Sequence, residues 1–325
     1  MKRKIISTFI GLTIASTSFN LQADSKPEGM KSELDRYPGS LLYSKPVEVS
    51  PGVYTAIGQT FNYTYENGGH NNNLSFIVGD DAVLVVNSSS SAQLAEDLHD
   101  EIKKITDKPV KYVVVENGQR HATFGTNYWQ SQGSKVIGHK DALLEMDHFG
   151  PSSIEELRET LKDQLDGTEV PKLDETFEDS KVFDLGGIKV EARYLGPAHS
   201  VGDISLFVND VIIAGDIAFH QRLLPVFPGT DTGAWIDTWN NVFTPLAQDK
   251  IIIPGHGSPT TFDVVDKYTR GYLEFMREEV GKLLDEGGTL ADSYNIDQSA
   301  YSHLETYDIL AAKNASRIFE LMEFE

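Results

Sequence analysis

The sequence predicts an α/β sandwich with helices on its outer faces. Two observations carry the prediction. Short apolar strands alternate with amphipathic helices, and the alternation runs through the first half of the chain and again through the second. The chain is also large and apolar enough to close a core: 325 residues, 40% of them hydrophobic, make one large domain or two modest ones. With a mean hydropathy of −0.29, this composition excludes a disordered tail, a collagen and a polytopic membrane protein. The sequence contains no 20–50-residue repeat and no low-complexity tract.

Val53-Tyr54-Thr55-Ala56-Ile57 reads as a strand entered through Pro51-Gly52. Leu74–Val78 and Ala82–Val86 pair across a Gly79-Asp80-Asp81 turn. Ser90 opens a helix, with its hydroxyl placed to cap the first turn and Gln93 at the reciprocal position. Leu94, Leu98, Ile102 and Ile105 form that helix's buried stripe, and Asp107-Lys108-Pro109 ends it. Lys111–Val115 closes on three valines and reads as a buried strand. A short helix at Thr126–Gln132, a strand at Lys135–Gly138 and an amphipathic helix at Glu155–Leu165 follow. Then the pattern turns sheet-like: Val182–Leu185, a Gly186-Gly187 turn, Ile188–Leu195, and a hairpin of Ile204–Val208 with Val211–Ala214 across Asn209-Asp210. Lys250–Ile253 is the last strand. Val265, Tyr268, Tyr272, Met276, Val280 and Leu283 mark one long amphipathic helix, and Tyr307–Glu323 reads as helical too.

The N-terminus reads as an address. Lys2, Arg3 and Lys4 precede a short apolar run from Ile5 to Ala15, and Leu21-Gln22-Ala23 supplies a small residue at the cleavage point. We expect a signal peptide at 1–23, a polar linker at 24–40, a main domain at 41–262 and a helical extension at 263–325. The expected location is periplasmic or secreted, with no membrane insertion after cleavage. Lys+Arg is 28 against Asp+Glu 49, a formal charge of −21, so nucleic acid is not an expected partner. The chain has no cysteine. A metal ion would have to be held by His, Asp or Glu.

Four polar motifs sit just past strand ends, the edge at which layered α/β folds build sites. Glu116-Asn117-Gly118-Gln119-Arg120-His121 follows Lys111–Val115, and Gly196-Pro197-Ala198-His199-Ser200-Val201-Gly202-Asp203 follows Ile188–Leu195. Ala214-Gly215-Asp216 ends one strand, and Pro254-Gly255-His256-Gly257 ends another. His121, His199, Asp216 and His256 together make a zinc-type donor set of three imidazoles and one carboxylate. His99, His139, His148 and His303 read as surface or core residues. His70, in Gly68-Gly69-His70-Asn71-Asn72-Asn73, and His220 read as exposed loop residues. No glycine-rich phosphate or dinucleotide loop is present.

These motifs, in this order, resemble the metallo-β-lactamase superfamily from about Leu41 to Pro259. The resemblance implies a four-layer αβ/βα sandwich with a C-terminal helical extension like that of periplasmic members. It also implies a zinc hydrolase acting on a small molecule: an ester, lactone, thioester or amide. The superfamily's loop is His-x-His-x-Asp-His, and here only its last histidine remains: Glu116, Gly118 and Arg120 stand where ligands belong. A second departure is Asn87, where a supporting Asp is usual. A guanidinium cannot ligate, and beside a divalent ion it repels by several kcal/mol at ~5 Å and an effective dielectric of about 20. Two full metals are therefore not expected. In one reading a single zinc is held by His121, Asp216 and His256, with His199 next and Glu116 a further candidate. Arg120 then swings out to pair with a carboxylate or to grip an anionic substrate, and Asp216 or Glu116 accepts a proton from water. In the other, Arg120 replaces the metal, pairs with Asp216 and Glu116, and the chain is a binding or scaffolding protein without hydrolysis.

Overall fold

The computed structural model describes Tyr37 and residues 39–325. The expected signal peptide and almost all of the expected linker lie outside the described residues.

Strands β1 (Val47–Ser50), β2 (Val53–Ala56), β3 (Leu74–Val78), β4 (Val83–Val86), β5 (Val110–Val114), β6 (Lys135–His139) and β7 (Glu175–Phe177) form one sheet in that spatial order. Pairing is antiparallel through β4 and parallel from β4 to β7. Strands β8 (Ser180–Asp184), β9 (Lys189–Tyr194), β10 (Ile204–Val208), β11 (Val211–Phe219), β12 (Ile251–His256) and β13 (Thr260–Thr261) form the second, in the order β13-β12-β11-β10-β9-β8. Only β11 and β12 run parallel there.

Alternation of side chains across each strand makes three apolar layers. Between the sheets lie Val53, Ile77, Leu84, Val86, Val114 and Ile137 from the first, against Phe183, Val190, Leu206, Ile213 and Ile253 from the second. The outer face of the first sheet packs Phe76, Val85 and Val113 on α1 (Ala92–Ile105) and on Trp129 of α3 (Thr126–Ser131); α2 (Arg120–Thr123) is a single turn just before α3. The outer face of the second sheet is covered by α5 (Thr232–Thr238), α6 (Thr244–Ala247), α7 (Phe262–Tyr268), α8 (Arg270–Asp285), α9 (Leu290–Ser293) and α10 (Tyr307–Met322), whose Trp235, Val265, Tyr272, Met276 and Ile318 share one cluster with Ile212, Ala214 and Ile252. The C-terminal helices thus close the core of the second sheet. The α/β sandwich expected from alternation is the fold observed. Among the described residues, no helix is long and apolar enough to cross a membrane.

Several local readings are corrected. Ser91, not Ser90, caps α1 by accepting from Leu94 N–H at 3.1 Å; Ser90 Oγ donates to Gly69 O, and Gln93 reaches Asp163 O. Ile105, expected in the buried stripe, is the last residue of α1 and is 41% exposed. The helix expected at Glu155–Leu165 begins at Lys140: α4 spans Lys140–Leu161 and passes through Gly150-Pro151. Its start is marked by His139, whose Nδ1 accepts from Asp141 N–H at 3.2 Å, a cap outside the usual Ser/Thr/Asp/Asn set. The single helix expected around Val265–Leu283 is two, α7 and α8. They break at Thr269, whose hydroxyl bonds the backbone N–H and C=O of Phe219 at 2.9 and 3.1 Å. The run Thr232–Ala247 is helical, with a π turn at Trp239–Phe243, and was not legible as such.

His70 and His220 are buried, not exposed. His70 Nδ1 accepts from Tyr43 N–H at 2.8 Å, and burial depresses the ring's pKa from 6.5 to about 4. The unfolded chain therefore takes up the proton first as pH falls. The stability His70 contributes is complete above about 6.5 and is lost progressively toward pH 4. Urea midpoints measured between pH 7 and 5 are expected to fall less steeply for His70→Gln than for the wild type.

Candidate metal centre

The ends of β4, β5 and β12 and the middle of β11 meet at one edge of the sandwich. Past β5, Asn117 Oδ1 accepts from Gln119 N–H at 3.0 Å and turns the chain into α2, which carries His121. Asp216 does not end its strand as expected. β11 continues to Phe219, and the ladder to β12 shifts register around Gly215. Gly215 has φ 63°, and a Cβ there would lie 1.7 Å from Glu116 Oε2, so only glycine lets the strand pass. His256 closes β12 under a strap from the Asn71-Asn72-Asn73 run. Asn73 Nδ2 donates to Pro254 O at 2.8 Å and to Gly257 O at 2.7 Å, and Asn73 N–H donates to Gly255 O at 2.8 Å.

His121, Asp216 and His256 bring donor atoms within 4.8 Å of one another. Asp216 Oδ2 lies 3.4 Å from His121 Nε2 and 3.8 Å from His199 Nε2; Asp216 Oδ1 lies 3.4 Å from His256 Nε2. All four residues are between 1% and 5% exposed. His256 Nδ1 lies 2.5 Å from Asn71 O. Asn71 O, which can only accept, is much nearer to Nδ1 than Arg222 Nη1, which can only donate and lies 3.3 Å away, so the proton is assigned to Nδ1 and the lone pair of Nε2 to the side facing Asp216 Oδ1. Two electron-rich atoms thus face each other, and among the described residues Asp216 Oδ1 and His199 Nε2 have no hydrogen-bond partner. Such a set fits a cation.

Electrostatics agree with the geometry. Burial, reinforced by Arg222, holds His256 well below the usual imidazole range, and burial lowers His199 to about 4. Both are neutral donors at pH 7. Burial opposes charging His121, but the carboxylates of Asp216 and Glu116 outweigh it and raise its pKa. Burial raises Asp216, Asp203 and Glu145.

The other sequence-derived candidates separate. Arg120 turns away: its guanidinium pairs with Glu156 of α4, and its side chain is about a third exposed at 32%. That placement removes the geometric basis for a guanidinium in the metal's place on Asp216. Glu116 is buried at the site with both oxygens already engaged, Oε1 by Asn87 Nδ2 at 2.8 Å and Oε2 by Asp216 N–H at 3.1 Å. Gly118 has no room for a ligand side chain, since a Cβ there would lie 2.6 Å from Ala142 O and 2.7 Å from Glu145 Cβ. Gly118→His, which restores the superfamily's residue, is expected to cost about 1–3 kcal/mol by overpacking and to add no metal. Equilibrium unfolding and elemental analysis of that variant check both halves.

Sequence reasoning missed Arg222, Asn71, Asn73 and Thr230. Arg222 is buried, with Nη1 3.3 Å from His256 Nδ1 and Nε unpartnered. Thr230 Oγ1 donates to His199 O at 2.9 Å, and the His199 ring is walled by Phe219, Phe227 and Trp235. The asparagine triplet was visible as a motif; nothing in its spacing tied it to His256. Arg222 had no signal beyond following Asp216 by a few residues.

No protein-family model matches the chain. Solved structures do. An inverting sec-alkylsulfatase, Pisa1 from Pseudomonas sp., matches at 14% identity and TM-score 0.66 over 85% of this chain and 50% of its own. A metallo-beta-lactamase from Pontibacter korlensis matches at 16% identity and TM-score 0.56 over 70% of this chain and 98% of its own. TMB-1 matches at 15% identity and TM-score 0.54 over 71% and 96%. The chain spans about half the length of the alkylsulfatase. These likenesses establish the metallo-β-lactamase fold for this chain.

Proposed function

We propose that the protein is a hydrolase of the metallo-β-lactamase type that acts on a small molecule and carries one zinc ion on His121, Asp216 and His256. The observation that carries the reading is the lone pair of His256 Nε2 set against the unpartnered Asp216 Oδ1 at 3.4 Å. Zinc bound there would polarise an ester, lactone, thioester or amide carbonyl and acidify water. His256 is oriented for this by Asn71 O, and His199 adds a neutral imidazole beside Asp216. Both Glu116 oxygens already accept hydrogen bonds, so the Asp216 oxygen not bound to zinc would be the carboxylate atom that takes a proton from water. The buried guanidinium of Arg222 supports a substrate with an anionic group.

The test is hydrolysis of a panel of esters, lactones and thioesters by the purified protein, before and after chelation and after zinc is restored. Chelator-sensitive turnover recovered with zinc is the expected result; turnover indifferent to metal overturns the reading. A second reading, a binding protein without turnover, rests on the near-complete burial of the four donors. It is favoured if zinc binds and no substrate turns over.

The N-terminal pattern supports export to the periplasm or beyond. The exported protein is expected to begin at Asp24. Intact-mass measurement of a periplasmic fraction checks this, and a mass matching all 325 residues excludes it.

A further inference from the structure

The two departures at Asn87 and Glu116 are bonded to each other. Asn87 Nδ2 donates to Glu116 Oε1 at 2.8 Å, and Glu116 N–H donates to Asn87 Oδ1 at 3.0 Å. Asn87 sits in the left-handed region at φ 67°, a conformation asparagine tolerates well, and its own N–H is held by Val114 O at 2.8 Å. The second carboxylate oxygen, Oε2, accepts from Asp216 N–H at 3.1 Å and lies against Gly215. Both residues are buried. The carboxylate is therefore fixed on three sides, and Oε1 lies 3.1 Å from His121 Nε2.

The polarity of the pair follows from this. With an acceptor at 116, an Asp at 87 would set two carboxylates 2.8 Å apart, whereas an amide supplies the donor. A carboxylate at 87 suits a donor at 116; here donor and acceptor have changed places together.

We propose that Asn87 and Glu116 act as one positioning unit for His121. Asn87 aims the Glu116 carboxylate, and the carboxylate holds the His121 ring beside Asp216. Glu116 is a positioning residue, neither ligand nor base. The consequence for metal rests on the zinc reading above; the hold on the ring does not.

The experiment uses the full exported chain, metal-free and labelled with ¹⁵N-histidine, with His121 ring signals assigned from their loss in His121→Gln. The wild type is expected to show a strongly hydrogen-bonded, slowly exchanging Nε2–H on His121. Glu116→Gln and Asn87→Asp are each expected to lose that signal and to lower Tm. In Glu116→Gln either amide orientation sets a donor against a donor, Asn87 Nδ2 or Asp216 N–H. The reciprocal exchange, Asn87→Asp with Glu116→Gln, restores every bond of the pair. It is expected to recover Tm while the His121 signal stays lost, because an amide N–H now faces the ring. Zinc would need the lone pair of His121 Nε2, so the wild-type Nε2–H signal is expected to disappear when zinc is added.

An unchanged His121 signal in Glu116→Gln overturns the proposal. So does an exchange variant that recovers signal and Tm together, since the pair would then be structural only. A wild-type Nε2–H signal that survives zinc uptake overturns His121 as a ligand and leaves the hold on the ring standing. A wild type that takes up no zinc defeats the zinc reading, and the ring signal still decides the positioning role.

Discussion

Asp216→Asn is expected to abolish zinc binding without weakening the metal-free fold. The carboxylate is 2% exposed, and burial raises its pKa. The sign follows directly: a carboxyl whose folded pKa is raised costs stability progressively as pH rises from its ordinary value of 3.8 toward the folded one, so the group is a burden at pH 7. An amide of the same shape removes that burden and also removes the only carboxylate in the donor set. Elemental analysis after equal zinc exposure should give about one zinc per chain for the wild type and none for Asp216→Asn. Excess zinc should stabilise the wild type alone, by about 2.7 kcal/mol at a hundred times Kd. Arg120→Asp is the companion variant. Because Arg120 pairs with Glu156 and not with Asp216, its removal should leave zinc content unchanged. A wild type without zinc beside a zinc-loaded Arg120→Asp would reverse this account and favour the binding-protein reading. Zinc retained by Asp216→Asn would show that Asp216 is not a ligand.

The candidate donors were legible because each follows a strand predicted from the sequence, three of them beside or near glycine or proline, and such strand ends gather at one edge of a layered sheet. His121, Asp216 and His256 converge as read, and His199 joins them through the 3.8 Å approach to Asp216. The direction of Arg120 was not legible. It depends on where Glu156 lies, and α4 was read as starting fifteen residues too late, so its N-terminal half had no place in the pattern. The bond between Asn87 and Glu116 is likewise a contact across parallel strands 29 residues apart, which no local spacing encodes. Each looked like a separate loss; in space they are one reversed pair.

For the fold, period-2 and period-3.6 patterns placed the central strands and α1. They failed where side chains do unusual work: at Thr269, which leaves its helix to bond Phe219, and at Gly215, which lets β11 run on past an apparent end. His70 looked exposed because glycine and asparagine surround it, and His220 because it lies past the apparent end of its strand at Ala214. Both are buried, and His220 Nε2 lies 2.6 Å from Ser258 O.

Asn73→Ala is expected to be the most damaging polar substitution at the site. Asn73 is 4% exposed, and its amide is a donor to both Pro254 O and Gly257 O, which flank Gly255-His256. Alanine keeps the backbone bond to Gly255 O but takes the side-chain donor from two carbonyls that face each other across the turn. A buried carbonyl left unsatisfied costs roughly 1–3 kcal/mol, so the metal-free protein should lose about 2–4 kcal/mol, read from urea unfolding. Working without metal separates this loss from any loss of bound zinc. The same turn sets His256 against Asp216, so zinc affinity should also fall, by roughly tenfold or more as for other residues that orient a ligand. Asn73→Asp tests the polarity: a carboxylate can only accept, and set against two carbonyl oxygens it should be at least as destabilising as alanine. A change below about 0.5 kcal/mol in Asn73→Ala would mean that the strap does not hold the turn, and that His256 is positioned by β12 and Asn71 O alone.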